Sequence, residues 1–359
     1  MTHLRHEQPE ILARAGGRKI KPMNRRTFYM LGLAAASMPL ARLSFGQQHA
    51  NETEVGYQIA AINDGLLTVQ HGGMAQDGLA VDDDTLFQVA SCSKTVTSLA
   101  VLTLVRDGHL ALDAPVNQYL RRWQLPGLRG DTATVAELMS HTSGTSTHGF
   151  GGYGPSEDLP DLFEILDGRT PANSGAVRAG PRLFGQFRYS GGGTMVLQAL
   201  IEEVTNEALS TYTSRAVLQP IGASSATFAI TPQAAFAHGV LESGEPVEGG
   251  FRRHPESAAA GLWATASDLA KILQTILDSL HYKRRAILPF ELVSRMITPV
   301  SQQSGLGLFV EPGRVIWHEG RNYGFDAIMA AELATGRVRA AVTNRNGAIE
   351  RYAQGLRPL

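Results

Sequence analysis

The stretch from Phe87 to Gly108, FQVASCSKTVTSLAVLTLVRDG, determines how the rest of the chain is interpreted. Residues 95–105 carry no charge, and their apolar side chains fall on every side of a helical wheel, which predicts a helix buried all round. Ser91 and Lys94 stand at its N-terminal end. Because they are three residues apart, they share one helix face, whereas Cys92 is turned away from it.

Lys94 is placed where an ammonium group is unfavourable. Burial disfavours its charge, and the positive end of the helix dipole disfavours it again, so both effects favour a neutral amine. Such an amine beside Ser91 can accept the hydroxyl proton and activate a nucleophile. Alternatively, Lys94 extends to solvent and Ser91 caps the helix, and the pair alone leaves both interpretations open. Of the five lysines, only Lys94 follows a serine by three residues.

Residues 1–46 resemble an export signal. Arg25 and Arg26 precede an uncharged run at residues 28–41, as in twin-arginine signals, which predicts a periplasmic or secreted protein. The run is short for a bilayer span, so no stable membrane anchor is expected. Met23 is an alternative start of the chain.

Charge and cysteine content narrow the function classes. The first 46 residues hold eight basic and two acidic residues, which leaves 24 basic and 31 acidic residues and a net charge of −7 in the remainder. A nucleic-acid partner is therefore not expected. Cys92 is the only cysteine, so no intrachain disulfide can form. Residues 51–359 are long enough to form one large domain.

Strand patterns occur at both ends of this domain. Two apolar runs around Asn63-Asp64-Gly65 predict a hairpin over Gly56–His71. Thr265 or Ser267 is expected to cap a helix that ends near Leu280. Further strands are predicted at Leu306–Val310, Val315–His318, Ala327–Leu333 and Arg339–Thr343, followed by a terminal helix from Ala348.

The fold class predicted from these patterns is α+β. Strands in residues 51–116 and 236–359 would form one antiparallel sheet from both chain ends, flanked by helices. Residues 117–235 would form a mainly helical inserted lobe, in which one helix starts at Thr194.

Two further stretches carry motifs. Phe187–Gly193 reads FRYSGGG, and Trp317–Phe325 reads WHEGRNYGF after a predicted strand. With Ser91-x-x-Lys94 they form three signatures in the order of the serine beta-lactamase and penicillin-binding-protein superfamily. The sequence resembles the class C beta-lactamase-like branch, which includes esterases, D-aminopeptidases and DD-peptidases. Leu138–Gly144 and Ala259–Ala270 are also family-like, and the resemblance implies a beta-lactamase/transpeptidase-like fold.

The resemblance also implies roles for single residues. Ser91 matches the acylated nucleophile, and Lys94 and Tyr189 match the groups that act in general acid/base catalysis. The backbone N–H groups of Ser91 and Arg321 match the oxyanion hole. Gly320 fits a strand edge that a substrate approaches closely.

Two positions of the expected substrate-binding set depart from the family pattern. Gly191 stands where beta-lactamases and peptidases have an asparagine, so one polar anchor for the substrate is missing. His318 stands where a lysine commonly presents a cation. Because histidine is only partly charged near neutral pH, weak and pH-dependent binding of a substrate carboxylate is expected.

Other residues near these motifs have less defined roles. His141 and Ser143 are expected to be structural, and Glu319 is expected to face solvent. His148 and Tyr153 are candidate pocket residues. They lie in an irregular segment, His148–Pro160, which is a candidate rim or lid. Cys92 is expected to be a small buried residue rather than a reactive thiol.

The sequence supports three hypotheses about function. The first is an esterase or peptidase of small or D-configured substrates, and the second is a weak beta-lactamase or DD-carboxypeptidase acting on cell-wall peptide. The third is a non-catalytic penicillin-binding-like sensor or scaffold. The substrate expected is a small ester, amide or peptide. No zinc motif, phosphate loop or Gly-x-Ser-x-Gly elbow is present, so neither a metal nor a cofactor is expected.

Overall fold

The computed structural model describes residues 55–181, 186–311 and 313–353. The predicted export signal at residues 1–46 lies outside these ranges. Residues 51–359 form one compact unit. None of the helices in the described ranges is long and apolar enough to cross a membrane.

Six of the ten described strands form one antiparallel sheet in the order β2-β1-β10-β9-β8-β7. The strands are β1 (Tyr57–Asn63), β2 (Leu66–Gly72), β3 (Met74–Gln76), β4 (Leu79–Ala80), β5 (Phe87–Gln88), β6 (Trp263–Ala264), β7 (Phe309–Glu311), β8 (Val315–Asn322), β9 (Phe325–Glu332) and β10 (Val338–Thr343). The N-terminal strand β1 pairs with the C-terminal strand β10, with Tyr57 opposite Thr343. The predicted sheet built from both chain ends is therefore confirmed.

The described helices lie mainly between the two groups of strands in the sequence. They are α1 (Ser93–Arg106), α2 (Val135–Met139), α3 (Leu162–Asp167), α4 (Gly191–Thr205), α5 (Leu209–Thr213), α6 (Ser257–Ala260), α7 (Ala266–Leu280) and α8 (Phe290–Met296). Every residue of α1 from Ser93 to Leu104 is buried, as predicted, because α4, α6 and the 214–218 turn surround it. An apolar sequence on all sides is stable only in such a position.

Helix α7 covers one face of the sheet. It begins where predicted, because Thr265 accepts a hydrogen bond from the backbone of Asp268, whose carboxylate accepts one in return. The opposite face packs on a 3₁₀ turn, Ala348–Arg351, whose Ile349 contacts Ile328. The terminal helix predicted from Ala348 is thus only this single turn within the described residues.

Three element boundaries differ from the prediction. Helix α4 begins at Gly191 rather than Thr194, because Ser190 caps it through the backbone N–H of Gly193 at 2.8 Å. Strand β8 continues to Asn322, so the WHEGRNYGF motif lies mostly within a strand rather than after one. Strand β7 is shorter than predicted and begins at Phe309.

Candidate active site

Ser91 and Lys94 lie together at the entrance to α1. Ser91 is in a 3₁₀ turn, Ala90–Cys92, directly before the helix. The Nζ atom of Lys94 donates hydrogen bonds to Ser91 Oγ at 3.0 Å and to the carbonyl oxygen of Ala259 at 2.7 Å. Lys94 is only 3% exposed, so the alternative in which its side chain extends to solvent is wrong. The amine is held by two acceptors and aimed at the hydroxyl.

The turn that carries Ser91 is fixed from two sides. Ser93 Oγ donates to the carbonyl of Ala90 and accepts from the backbone N–H of Leu262 at 3.0 Å. Ala90 has a φ of 47°, in the left-handed region that a residue with a Cβ rarely adopts. Such a conformation persists only where surrounding contacts enforce it, and it occurs often at functional sites.

Tyr189 lies over the lysine. The centre of its ring is 5.0 Å from Lys94 Nζ. The ring rests on His141, with a centroid separation of 4.4 Å, and His141 Nδ1 accepts the backbone N–H of Ser190 at 3.2 Å. His141 is buried, and this burial holds its pKa well below the usual value. His141 therefore supports Tyr189 as a neutral ring, in line with its expected structural role.

Strand β8 forms the other wall beside Ser91. Its alternating pattern turns His318 and Gly320 inward and leaves Glu319 exposed, as expected for Glu319. Asn322 and Phe325 face each other across a two-residue turn, so their backbone groups are hydrogen-bonded to each other. In an antiparallel pair the next residue does not bond across, so Arg321 and Asp326 form a non-hydrogen-bonded pair. The backbone N–H of Arg321 therefore points away from β9, toward the edge that β7 leaves uncovered beyond Trp317.

The Arg321 side chain has a separate role. Its Nε donates to Asp326 Oδ1 at 2.7 Å, and this pairing raises the pKa of the guanidinium. Asp326 is buried and also accepts from Asn346 Nδ2 and from the backbone N–H of Gly347. The guanidinium therefore pairs the two strands of the β8–β9 hairpin, and Asp326 joins this hairpin to the C-terminal turn.

His318 differs from the sequence expectation. It is 2% exposed, and its Nδ1 lies 2.7 Å from the carbonyl oxygen of Glu319, so Nδ1 carries the proton and Nε2 is the free acceptor. Burial lowers its pKa to about 3. The expected partial charge near neutral pH is wrong, because the His318 ring is buried and the charged form is disfavoured there.

These elements enclose a cavity of about 750 Å³. Ser91, Lys94, Tyr189, His318, Gly320 and Arg321 all line it, so the structure brings these predicted site residues together. His148 lines it as well, with its ring 5.1 Å from that of Tyr189. Tyr153 does not line this cavity. It is buried in the core, where its hydroxyl accepts the backbone N–H of Asn173 at 2.9 Å.

Aromatic side chains that sequence patterns did not single out line one side of the cavity. Phe309 lies between Tyr189, at 6.5 Å between ring centres, and Trp317, at 4.8 Å, and is roughly parallel to both. Phe187 and Phe150 also line the cavity. Phe187 lies within the FRYSGGG motif, whereas nothing in the sequence distinguishes Phe150 or Phe309 from core residues.

Gly191 and Cys92 complete the predicted set. Gly191 is buried at the start of α4 under Phe150 and does not line the cavity. Cys92 is fully buried with its Sγ 3.9 Å from the carbonyl oxygen of His318, and burial raises the pKa of its thiol well above the usual range. Ser143 is also buried, with its hydroxyl 3.0 Å from that of Thr145. No group of three His, Cys, Asp or Glu side chains among the described residues could hold a metal ion.

Comparison with known sequences agrees with the three motifs. The family model described as Beta-lactamase matches residues 45–357. The esterase EstB of Burkholderia gladioli is 33% identical over 154 residues, which cover 40% of this chain and 39% of EstB. The putative penicillin-binding protein PbpX of Bacillus subtilis (strain 168) is 27% identical over 237 residues, covering 64% of this chain and 54% of PbpX. The chain thus spans about two fifths of the length of EstB and about half of the length of PbpX.

Solved structures share the fold at low sequence identity. A penicillin-binding protein homologue from Pyrococcus abyssi, described as octameric, has a TM-score of 0.68 at 24% identity and covers 84% of this chain and 74% of its own. D-amino acid amidase from Ochrobactrum anthropi SV3, complexed with L-phenylalanine amide, has a TM-score of 0.68 at 21% identity, covering 81% and 87%. Together with the family match over most of the chain, this fold shows that the chain belongs to the beta-lactamase family.

Proposed function

We propose that the protein is a serine hydrolase that cleaves small esters or amides through an acyl-enzyme on Ser91. The observation that carries this proposal is the hydrogen bond of 3.0 Å between Lys94 Nζ and Ser91 Oγ, formed by a buried amine on the wall of a large cavity. A hydroxyl that borders both a base and an open cavity can reach a substrate carbonyl. The partial similarity to an esterase supports ester substrates.

The proposed cycle uses the residues around Ser91. Ser91 Oγ forms a bond to the substrate carbonyl carbon, the electron pair of the C=O π bond moves onto the carbonyl oxygen, and the single serine proton is taken up by the Lys94–Tyr189 pair. The oxyanion accepts hydrogen bonds from the backbone N–H groups of Ser91 and Arg321. The bond to the leaving group then breaks, and that group takes a proton through Tyr189. Water attacks the acyl-enzyme, releases the acid and restores the serine hydroxyl.

The charges around the cavity favour substrates without a carboxylate. The lowered pKa of His318, about 3, leaves its ring neutral near neutral pH, and the Arg321 guanidinium is paired with Asp326. Two acidic residues, Glu319 and Glu350, also line the cavity. The substrates we propose are therefore small neutral esters, or D-amino-acid-type amides and peptides. The ammonium group of the latter is compatible with these acidic side chains. Beta-lactams and peptides ending in two D-alanines carry a carboxylate and would be poor substrates.

The test is the intact mass of the protein after exposure to a fluorophosphonate, which labels activated serines. We expect one adduct on the wild type and none on Ser91→Ala or Lys94→Ala. Tyr189→Phe should label much more slowly, since one proton acceptor is lost. Lys271→Ala and Ser210→Ala are matched controls, because Lys271 donates to the carbonyl of Gly222, Ser210 is exposed, and neither lines the cavity.

Substrate turnover then separates the proposed function from the alternatives. Hydrolysis of p-nitrophenyl acetate and butyrate, lost in Ser91→Ala, would support the esterase. Faster turnover of nitrocefin, or release of D-alanine from a D-alanyl-D-alanine peptide, would instead identify a beta-lactamase or carboxypeptidase. Stable labelling by a fluorescent penicillin without turnover of any substrate would identify a non-catalytic sensor. A wild type that no fluorophosphonate labels, beside a labelled control hydrolase, would overturn the proposal.

We also propose that residues 1–46 direct export of the folded protein. The support is the Arg25-Arg26 pair before an uncharged run. In a Gram-negative host, replacing both arginines by lysine should leave the full-length protein in the cytoplasmic fraction, whereas the wild type appears in the periplasm with a lower mass. Recovery of both proteins uncut in the cytoplasm would contradict export.

A further inference from the structure

Phe150 occupies the space into which a side chain at position 191 would point. A Cβ atom built on Gly191 would lie 2.9 Å from Cε2 and 3.3 Å from Cδ2 of Phe150. It would also lie 3.2 Å from the carbonyl oxygen of His148. Position 191 is where the resemblance implies an asparagine that contacts the substrate. Here no side chain of any kind fits there without displacing the ring.

The segment that carries Phe150, residues 146–150, is hydrogen-bonded to the start of α4. The backbone N–H groups of Gly191 and Gly192 donate to the carbonyls of His148 and Thr147 at 2.9 and 3.0 Å. Ser190 Oγ donates to the carbonyl of Ser146 at 2.7 Å. These bonds require the close approach that glycines at 191 and 192 permit, since a Cβ on Gly192 would also come within 2.6 Å of the Ser146 carbonyl oxygen. The position of Phe150 is therefore built into the fold.

Phe150 joins an aromatic lining on the side of the cavity where Tyr189 lies. Phe150 is half-buried and lines the cavity together with Phe187, Tyr189 and Phe309. Phe187 lies 6.4 Å from Tyr189 and 6.1 Å from Phe309 between ring centres. Gly191 has no side chain, and the phenyl ring of Phe150 has no polar atom, so neither side chain can hydrogen-bond a substrate amide. A substrate amide placed against the Phe150 ring itself would lose its water without gaining a partner from that ring.

We propose that Phe150 determines acyl specificity by replacing an amide contact at position 191 with an apolar one. This inference rests on the proposed function, because it concerns the substrate of the same Ser91 site. The preferred substrates are esters whose acyl group is hydrocarbon next to the carbonyl, either alkyl or aryl-alkyl. Acyl groups that carry an amide at that place are disfavoured, which separates this chain from hydrolases that use a polar anchor there.

The test compares two p-nitrophenyl esters of equal chain length, 4-phenylbutyrate and hippurate. The hippurate has an amide where the phenylbutyrate has two methylene groups, and both release the same phenol. Each kcat/KM is divided by the ester's second-order rate constant with hydroxylamine near neutral pH, a nucleophile that attacks both ester carbonyls directly, because hydroxide would convert the hippurate through an internal oxazolone. We expect the wild type to prefer the phenylbutyrate by about tenfold or more. Phe150→Ala should remove most of this preference by slowing the phenylbutyrate, while its rate with hippurate changes little.

Two further variants keep the inference falsifiable if Phe150→Ala folds poorly. Phe150→Leu retains an apolar side chain and should keep most of the preference, whereas Phe150→Ala/Gly191→Asn should shift it toward hippurate. Tyr282→Ala, an exposed aromatic position outside the cavity, is the control that should change neither rate. Fluorophosphonate labelling is measured for every variant.

The outcomes distinguish the two proposals. Normal labelling of Ser91 with an ester preference that is the same in the wild type, Phe150→Leu and the double variant would overturn the role of Phe150 and leave the hydrolase intact. A wild type that favours hippurate would do the same. A wild type that is neither labelled nor active on any ester would overturn the proposed function itself, and with it this inference.

Discussion

Gly320 and Ser91 are in direct contact through their main chains. A Cβ atom built on Gly320 would lie 2.8 Å from the backbone nitrogen of Ser91 and would overlap the carbonyl oxygen of Val89. Strand β8 and the turn before α1 therefore lie too close together for a side chain at position 320, so glycine is required there. Such an approach is what the proposed oxyanion hole requires, since the N–H groups of Ser91 and Arg321 must both reach one oxyanion.

Gly320→Ala is expected to reduce hydrolysis strongly while the protein remains folded. The added methyl group pushes β8 away from Ser91 and separates the two N–H donors. Loss of one oxyanion donor typically costs about a hundredfold or more in kcat. We expect a loss of that size in p-nitrophenyl butyrate hydrolysis, with a loss of about 1–3 kcal/mol in the free energy of unfolding. Gly175→Ala is the matched control, because nothing lies within 4 Å of a Cβ at that position. Equal activity in both variants would show that the contact does not matter for catalysis.

Arg321 provides a second test of the oxyanion hole, because its proposed role belongs to the backbone. Arg321→Ala keeps the N–H group and removes only the guanidinium. Asp326 remains held by Asn346 and the backbone of Gly347, so the hairpin should keep its position. The fluorophosphonate labelling rate should stay within about tenfold of the wild type, well short of the loss expected for a missing donor. A loss of several hundredfold in a folded variant would mean that the side chain itself takes part.

Cys92 should be unreactive in the folded protein, although it is adjacent to Ser91. The side chain is completely buried, and its raised thiol pKa leaves almost no thiolate at neutral pH. A thiol reagent such as DTNB should find no reactive thiol in the native protein and one in urea. Rapid reaction of the native protein would contradict this burial, and would require the mass adducts in the labelling experiment to be mapped to a residue.

The parts of the site that could be predicted from the sequence are local in the chain. Ser91 and Lys94 are three residues apart at the start of an apolar helix, so their contact follows from helix geometry. Tyr189, His318, Gly320 and Arg321 could be found because each lies in a short motif. The antiparallel sheet from both chain ends could be predicted because short apolar runs occur at both ends of the domain and its first hairpin has an Asn-Asp-Gly turn.

The parts that could not be predicted depend on tertiary packing. The second acceptor for Lys94 is the carbonyl of Ala259, a backbone atom 165 residues away that no side-chain pattern reveals. The sequence shows that position 191 has no side chain. That Phe150 occupies the space of the missing side chain depends on how residues 146–150 fold over α4. Glycine's low helix propensity also hid the start of α4 at Gly191, where the capping serine and burial under the 146–150 segment outweigh it.

His318 also makes stability depend on pH. Its ring titrates near pH 6.5 when unfolded and near pH 3 when folded, so the unfolded chain binds more protons between these values. The contribution of His318 to the free energy of unfolding is fully present above pH 6.5 and is lost as the pH falls toward 3. Between pH 7.5 and pH 5 the loss is about 2 kcal/mol.

His318→Asn keeps a donor for the Glu319 carbonyl but does not titrate, so its unfolding free energy in urea should fall less over this interval than that of the wild type. His141, whose pKa is also lowered by burial, contributes equally to both proteins. The exposed His109 provides the control, since His109→Asn should retain the full acid dependence. An identical loss of stability in His318→Asn and the wild type would mean that His318 is protonated in the folded protein at pH 5. A cation would then face the cavity, and substrates that carry a carboxylate would become favourable at that pH.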